Sequence, residues 1–348
     1  MATAAVSSPS FTIPKMEFKA KYTPEIEHLK PTTKKKILEI AYNVFSVLIP
    51  ILIFIRILVK AAVFPAGFGW KSAKKIQIKE NQFYKKWKPN KHFEVRKITV
   101  TTPDGVKIQG TYFKKRGVES NADTLIYFNA NAMTSSDTFG SNSTSAFSLL
   151  NETAKSNRNC HFVTFDYRNS GFSNESSAWS KEALELDAES IYQFVRDELL
   201  VPEDKIHTYG HSLGGGISAL FRKNHPEATG AFVSDRSFTS IVNCAKSNVN
   251  SQCEKVFTSF SIRYSKWNID TENYWNHITG NRLVIYHPND HIMKKSHLAS
   301  LAKTNGDKVI DLSDKGRVNY PHWDHHCTRI DAYNEKIPEI VMDFILKT

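Results

Sequence analysis

The pentapeptide Gly210-His211-Ser212-Leu213-Gly214 holds the residue types that a serine nucleophile requires. Lys205 to Tyr209 reads as a short buried strand and Ile217 to Phe221 as helix, so Ser212 falls on a strand-to-helix turn. A turn that sharp needs small neighbours, which Gly210, Gly214, Gly215 and Gly216 supply. A helix that starts at the serine also aims its unpaired N–H groups and positive dipole end at the hydroxyl.

A serine hydroxyl attacks only when an imidazole takes its proton and a carboxylate orients that imidazole. Leu283 to Tyr286 reads as a strand running into His287-Pro288-Asn289-Asp290. Asp290 therefore stands past the strand's C-terminal end, on the edge where open α/β sheets bind ligands. The segment His322-Trp323-Asp324-His325-His326 follows the last strand, shortly before the final helix. One of its histidines is the expected base: His325 is the first choice, with His326 and His322 as alternatives. The order Ser, Asp, His matches that of a known serine-nucleophile arrangement. An oxyanion needs two N–H donors. Leu213, next to the serine, supplies one, and Asn131, in the loop after the strand Thr124 to Phe128, is expected to supply the other.

The His322–His326 cluster lacks the spacing of a zinc site, and there is no His or Cys cluster elsewhere in the sequence to complete one. Neither a metal nor a cofactor is expected. Cys160, Cys244, Cys253 and Cys327 form no CxxC pair, which suits a reducing compartment.

These residues need a sheet to hold them. His92 to Thr101 and Val106 to Phe113 read as a hairpin around Pro103-Asp104-Gly105. Short apolar runs follow at 124–128, 161–165, 205–209, 231–234, 283–286 and 309–312, alternating with helical segments. The expectation is an α/β fold: a mostly parallel sheet of about eight strands with helices on both faces. Residues 236–281 are long for a loop between two core strands and read as a lid insertion. Residues 92–348 form the expected catalytic domain.

The chain has 348 residues and a net charge of +11, which would suggest nucleic acid were it spread over the chain. Residues 1–97 hold 19 Lys and Arg against 6 Asp and Glu, and the remainder holds 27 against 29. The basicity therefore belongs to the N-terminal segment, residues 1–91, and flanks a hydrophobic run. Ile40 to Ile55 carries no charge over 16 residues, with Lys34, Lys35 and Lys36 before it and Arg56 and Lys60 after. Cations beside an apolar helix suit an anionic membrane surface, and no nucleic-acid partner is expected. The uncharged core is shorter than the roughly 20 residues that span a bilayer. Residues 37–59 would reach if Glu39 and Arg56 snorkelled, so spanning and interfacial placement are both open. Residues 71–91, rich in Lys and aromatics, read as a basic connector. The run is not followed by a convincing cleavage site, so its retention is expected.

Four segments together resemble the α/β-hydrolase superfamily over residues 92–348: Phe128-Asn129-Ala130-Asn131-Ala132, Asp166-Tyr167-Arg168-Asn169-Ser170-Gly171-Phe172-Ser173, Gly210-His211-Ser212-Leu213-Gly214-Gly215, and Ser234-Asp235-Arg236-Ser237-Phe238-Thr239-Ser240-Ile241. Two positions depart from the superfamily pattern: Asn169 replaces a usual glycine, and Asn129-Ala130 stands where many relatives have His-Gly. The similarity of His322-Trp323-Asp324 to a His-Asn-Asp motif of that superfamily is what favours His322 among the three histidines. The fourth segment is similar to a branch whose members often carry an N-terminal hydrophobic segment. The set also resembles the chlamydial-type (CHLPS) hydrolase-like family, which implies a bacterial effector secreted into a host cell and acting at its membranes. The resemblance implies a serine hydrolase of esters or thioesters, membrane-associated, cytoplasmic-facing or secreted, with an acyl ester or lipid-like substrate. The alternative is a non-catalytic scaffold of the same fold, anchored at a membrane.

Overall fold

The computed structural model describes residues 31–65, 73–88, 90–140, 142, 144–156, 158–173, 178–313 and 325–347. The chain divides into two compact units, Met1–Ile53 and Phe54–Thr348.

Helix α1 (Pro31–Val63) starts in the first unit and ends in the second. Its stretch Lys35–Val63, 29 residues, is long and apolar enough to cross a membrane by length and composition. The helix outruns the uncharged core because isolated Glu39 and Arg56 do not break helical hydrogen bonding. Leu38, Ile40, Phe45 and Val47 are exposed apolar side chains of the first unit.

In the second unit, Phe64 directly after α1 is fully buried, edge-on to Tyr167 at 5.9 Å. Helix α2 (Ala73–Trp87) covers most of the stretch read from its lysines as a connector. Its Phe83 and Trp87, one helical turn apart, are buried against Phe113, Trp87 edge-on at 5.1 Å. The boundary expected at 91/92 therefore falls inside a compact unit that begins at Phe54. The lysines conceal this because they occupy the solvent side of a helix whose other face is aromatic.

Strands β1 (Phe93–Thr101) and β2 (Lys107–Lys115) form the expected hairpin, with Thr101 paired to Lys107. Gly105 in its turn sits at φ 82, a left-handed conformation that glycine adopts without strain. Next come β3 (Asp123–Phe128), a one-turn α3 (Ser135–Thr138), α4 (Ser145–Lys155) and β4 (Cys160–Phe165). Thr144 caps α4, its hydroxyl accepting the Phe147 N–H at 3.2 Å. Helix α5 (Lys181–Gln193), β5 (Ile206–His211), α6 (Leu213–Asn224) and β6 (Phe232–Asp235) follow.

The segment between β6 and the next strand folds as α7 (Ile241–Ser247), α8 (Gln252–Tyr264) and α9 (Thr271–Tyr274). A capping box of Ser251 and Glu254 starts α8. The chain closes with β7 (Arg282–Tyr286), α10 (Ala299–Thr304), β8 (Lys308–Asp311), α11 (Ile330–Tyr333) and α12 (Ile337–Leu346).

The sheet has eight strands in the order β1-β2-β4-β3-β5-β6-β7-β8. Pairings β1·β2 and β2·β4 are antiparallel and the others parallel. Alternate side chains explain why the central strands read as unbroken apolar runs: Ile126 and Phe128 of β3 enter one buried cluster with Ile217 and Phe221 of α6. Leu125 and Tyr127 enter another, with Leu149 of α4 and Val341 of α12. Both faces are covered, as a parallel sheet requires.

Candidate active site

Ser212 links β5 to α6 at φ 53, ψ −118, a strained conformation for a residue with a Cβ. The surroundings fix it there. Its N–H donates to the Asp235 carbonyl at 3.0 Å, and its own carbonyl accepts the Gly215 N–H at 3.0 Å and the Ser237 hydroxyl at 2.7 Å. The glycines are required by close approach: a Cβ on Gly210 would strike the Gly214 backbone, and one on Gly214 would strike the Phe128 carbonyl. Leu213 opens α6, so its N–H has no carbonyl partner within the helix.

Asp290 lies four residues past the end of β7 and is buried. One carboxylate oxygen accepts the N–H groups of Ile292 and Met293, each at 2.9 Å. The other meets His326 Nδ1 at 2.8 Å. Burial alone would raise the carboxyl pKa, but the His326 hydrogen bond and the two backbone donors outweigh it and hold the value at about 2. With Nδ1–H donating to the carboxylate, His326 keeps Nε2 as an acceptor.

His325, the first choice from the sequence, has different partners. Its ring stacks on His287 at 3.8 Å and 9°, and its Nδ1 faces the Tyr333 hydroxyl at 3.2 Å. Asp290 is engaged instead by the neighbouring His326, which the sequence offered as an alternative. His322, the remaining alternative, lies outside the described residues.

The direction of this turn is set by a residue that sequence reasoning assigned no role. Arg236, fully buried at φ 45, donates to the carbonyls of His325, at 3.2 Å, and Thr328, and to the Ser145 hydroxyl at 3.0 Å. Both oxygens of buried Asp235 brace the same guanidinium, at 2.7 and 2.8 Å. Burial opposes the charge on Asp235, yet Arg236 and His211 hold its carboxyl well below the usual range. The signal available in the sequence was an Asp-Arg pair at the C-terminal end of a strand of the parallel sheet.

Asn131 and Leu213, expected as the oxyanion donors, line one cavity with Ser212. The loop of Asn131 is braced from below. Buried Asn129 donates to the Phe165 carbonyl at 2.6 Å and accepts the Thr138 hydroxyl at 2.6 Å. Asp166 accepts the N–H groups of Ser135 at 2.6 Å and Phe172 at 2.7 Å. Burial pushes its pKa up to about 6 despite those donors. Asn169 sits at φ 58, where asparagine tolerates the left-handed region almost as glycine does.

A family model described as the alpha/beta hydrolase fold matches residues 138–252, which include the Ser212 turn. The chain has the α/β-hydrolase fold. Among curated proteins, this chain is 24% identical over 148 residues to the alpha/beta hydrolase domain-containing protein WAV2 of Arabidopsis thaliana, covering 42% of this chain and 44% of that one. It is 22% identical over 150 residues to protein bem46 of Schizosaccharomyces pombe, covering 43% of this chain and 46% of the relative. The matches thus take in less than half of either curated relative. Among solved structures it is similar to an alpha-beta hydrolase from Vibrio vulnificus, with TM-score 0.59, 14% identity and 82% and 92% of the two chains covered. An esterase from Pyrococcus furiosus matches with TM-score 0.53 and 17% identity, over 73% of this chain and 91% of the esterase. At these identities the structural likeness carries the fold.

Proposed function

We propose that this α/β-hydrolase is a serine hydrolase cleaving ester or thioester bonds at a membrane. The observation that supports it most is the 2.8 Å pairing of His326 with Asp290 in the same fold edge as the strained Ser212 turn. In this reading, His326 Nε2 takes the Ser212 hydroxyl proton while Oγ bonds to the substrate carbonyl carbon. The oxygen of the tetrahedral intermediate receives N–H donors from Leu213 and Asn131. The bond to the leaving alcohol or thiol then breaks and His326 returns the proton to it. Water, deprotonated by His326, attacks the acyl-serine, and the acid leaves as Ser212 recovers its proton. Asp290 holds the imidazole orientation and balances its transient charge.

The membrane part of the proposal rests on α1, apolar over the stretch Lys35–Val63, with lysines at its N-terminal end. Co-flotation of the full chain with anionic phosphatidylserine vesicles, without salt-dependent retention of DNA, is the expected result. For the catalytic part, a fluorophosphonate probe is expected to label the protein covalently, and Ser212→Ala to remain unlabelled. A folded wild-type chain that takes up no probe would leave a non-catalytic scaffold as the reading.

A further inference from the structure

A cavity of about 390 Å³ opens beside Ser212, within the usual size range for small-molecule sites. Its walls come from three helices outside the sheet, α7 among them with Ile241, Cys244 and Ala245. Leu58, Val59 and Ala62 belong to the last turns of α1, and Phe257, Ser261 and Ile262 to α8. Its inner end is Ser212, Leu213 and Phe238, with Met293, three residues after Asp290, beside them. Among the described residues that line it none is charged, and the polar side chains are limited to Asn131, Ser212, Thr258 and Ser261. Asn131 and Ser212 stand at the Ser212 end, the Thr258 and Ser261 hydroxyls and the Cys244 thiol lie on the helical walls, and the other lining side chains are apolar.

The mouth is apolar too. Leu58 is 51% exposed and Phe257 60% exposed although both line the cavity. Val256, Phe260 and Tyr264 continue an exposed apolar stripe along α8, with Phe260 and Tyr264 stacked at 5.8 Å. Exposed apolar side chains clustered at a cavity mouth mark a surface that receives an apolar ligand.

We infer that this cavity is the binding site of a single long aliphatic acyl chain, gripped between the end of α1 and α8 with its carbonyl carbon at Ser212. The inference rests on the hydrolase reading for the position of the carbonyl, but not for the presence of the chain. It gives the hydrophobic helix a second role: its final turns form a wall of the substrate site. An apolar site without charges favours each added methylene about fourfold until the space is filled. Short acyl groups would leave most of the wall uncovered, and charged acyl groups would meet no counter-charge.

Two measurements on the full-length chain in detergent micelles test this. First, hydrolysis of p-nitrophenyl esters from acetate to palmitate is expected to rise in kcat/KM with chain length. The long-to-short ratio is expected to fall at least tenfold in Ala62→Trp, which fills the α1 wall, and in Thr258→Trp, which fills the facing wall. Second, a diazirine-bearing palmitic acid is photo-crosslinked to Ser212→Ala and the adducts are mapped by mass spectrometry. Adducts on residues 55–63 and 257–262, competed by excess palmitate and reduced by Ala62→Trp, support the site. A wild type that discriminates no chain length, together with adducts absent from both segments, overturns it while leaving the hydrolase reading standing. Competed adducts on both segments in a protein that cleaves no ester would sink the hydrolase reading and keep the acyl site.

Discussion

Asp290 and His326 are 36 residues apart in the chain and 2.8 Å apart in space. Asp290 is fixed independently by two backbone donors on one oxygen, which leaves the other oxygen to receive an imidazole N–H. That geometry makes His326, and not the adjacent His325, the partner of the carboxylate.

Replacing the two histidines separately should therefore give opposite outcomes. His326→Ala is expected to lose about 10³-fold or more in kcat/KM, since it removes the proposed proton carrier. His325→Ala, which loses a stack on His287, should stay within about tenfold of wild type because the proposed mechanism gives it no proton transfer. Steady-state hydrolysis of a soluble ester distinguishes them, and the reverse order would reassign the base.

Asp290 should also be visible in the acid limb of stability. Its pKa is lowered from 3.8 to about 2 on folding, so the unfolded chain binds more protons between those values. The stabilisation, about 2 kcal/mol, is complete above about pH 5 and is lost as pH falls towards 2. Chemical denaturation of Asp290→Asn across this range should show a shallower loss than wild type. Equal slopes would mean that the carboxylate is not held in its charged form.

Arg236 is a positioning residue, since it reaches the histidine turn through the carbonyls of His325 and Thr328. Arg236→Lys offers a single ammonium that cannot span Asp235, Ser145 and both carbonyls. We expect kcat to fall while KM changes little, along with slower fluorophosphonate labelling of Ser212 at temperatures where the variant is folded. A lowered Tm with unchanged kcat at low temperature would assign Arg236 a purely structural role. Arg236→Met, which leaves buried Asp235 without its cation, should cost about 3–5 kcal/mol.

The aromatic face of α2 predicts where the second compact unit begins. Trp87→Ala removes a buried ring packed on Phe113 and should cost about 3–5 kcal/mol of stability. A chain begun at residue 92 should melt well below one begun at residue 54. Equal thermal midpoints would separate α2 from the folding unit.

The serine turn was legible because its requirements are local. Ser212 needs small residues at fixed offsets, and a strand and helix on either side, all of which are periodic or steric properties of adjacent residues. The eight strands were legible for a similar reason, because apolar runs of strand length mark buried parallel strands wherever they pair. Asp290 could be placed past a strand end by counting.

Tertiary structure decided the rest. Adjacent residues in an irregular turn have no period, so nothing local separates His325 from His326; the anchor that turns them is Arg236, 89 residues away from His325 in the chain. Phe83 and Trp87 looked like part of a basic connector because a sequence reports charge without saying which face of a helix finds a partner. Likewise, the hydrophobicity of α1 was plain in its residues. That its last turns form a wall beside Ser212 depends on packing between segments far apart in the chain, and no single segment contains that information.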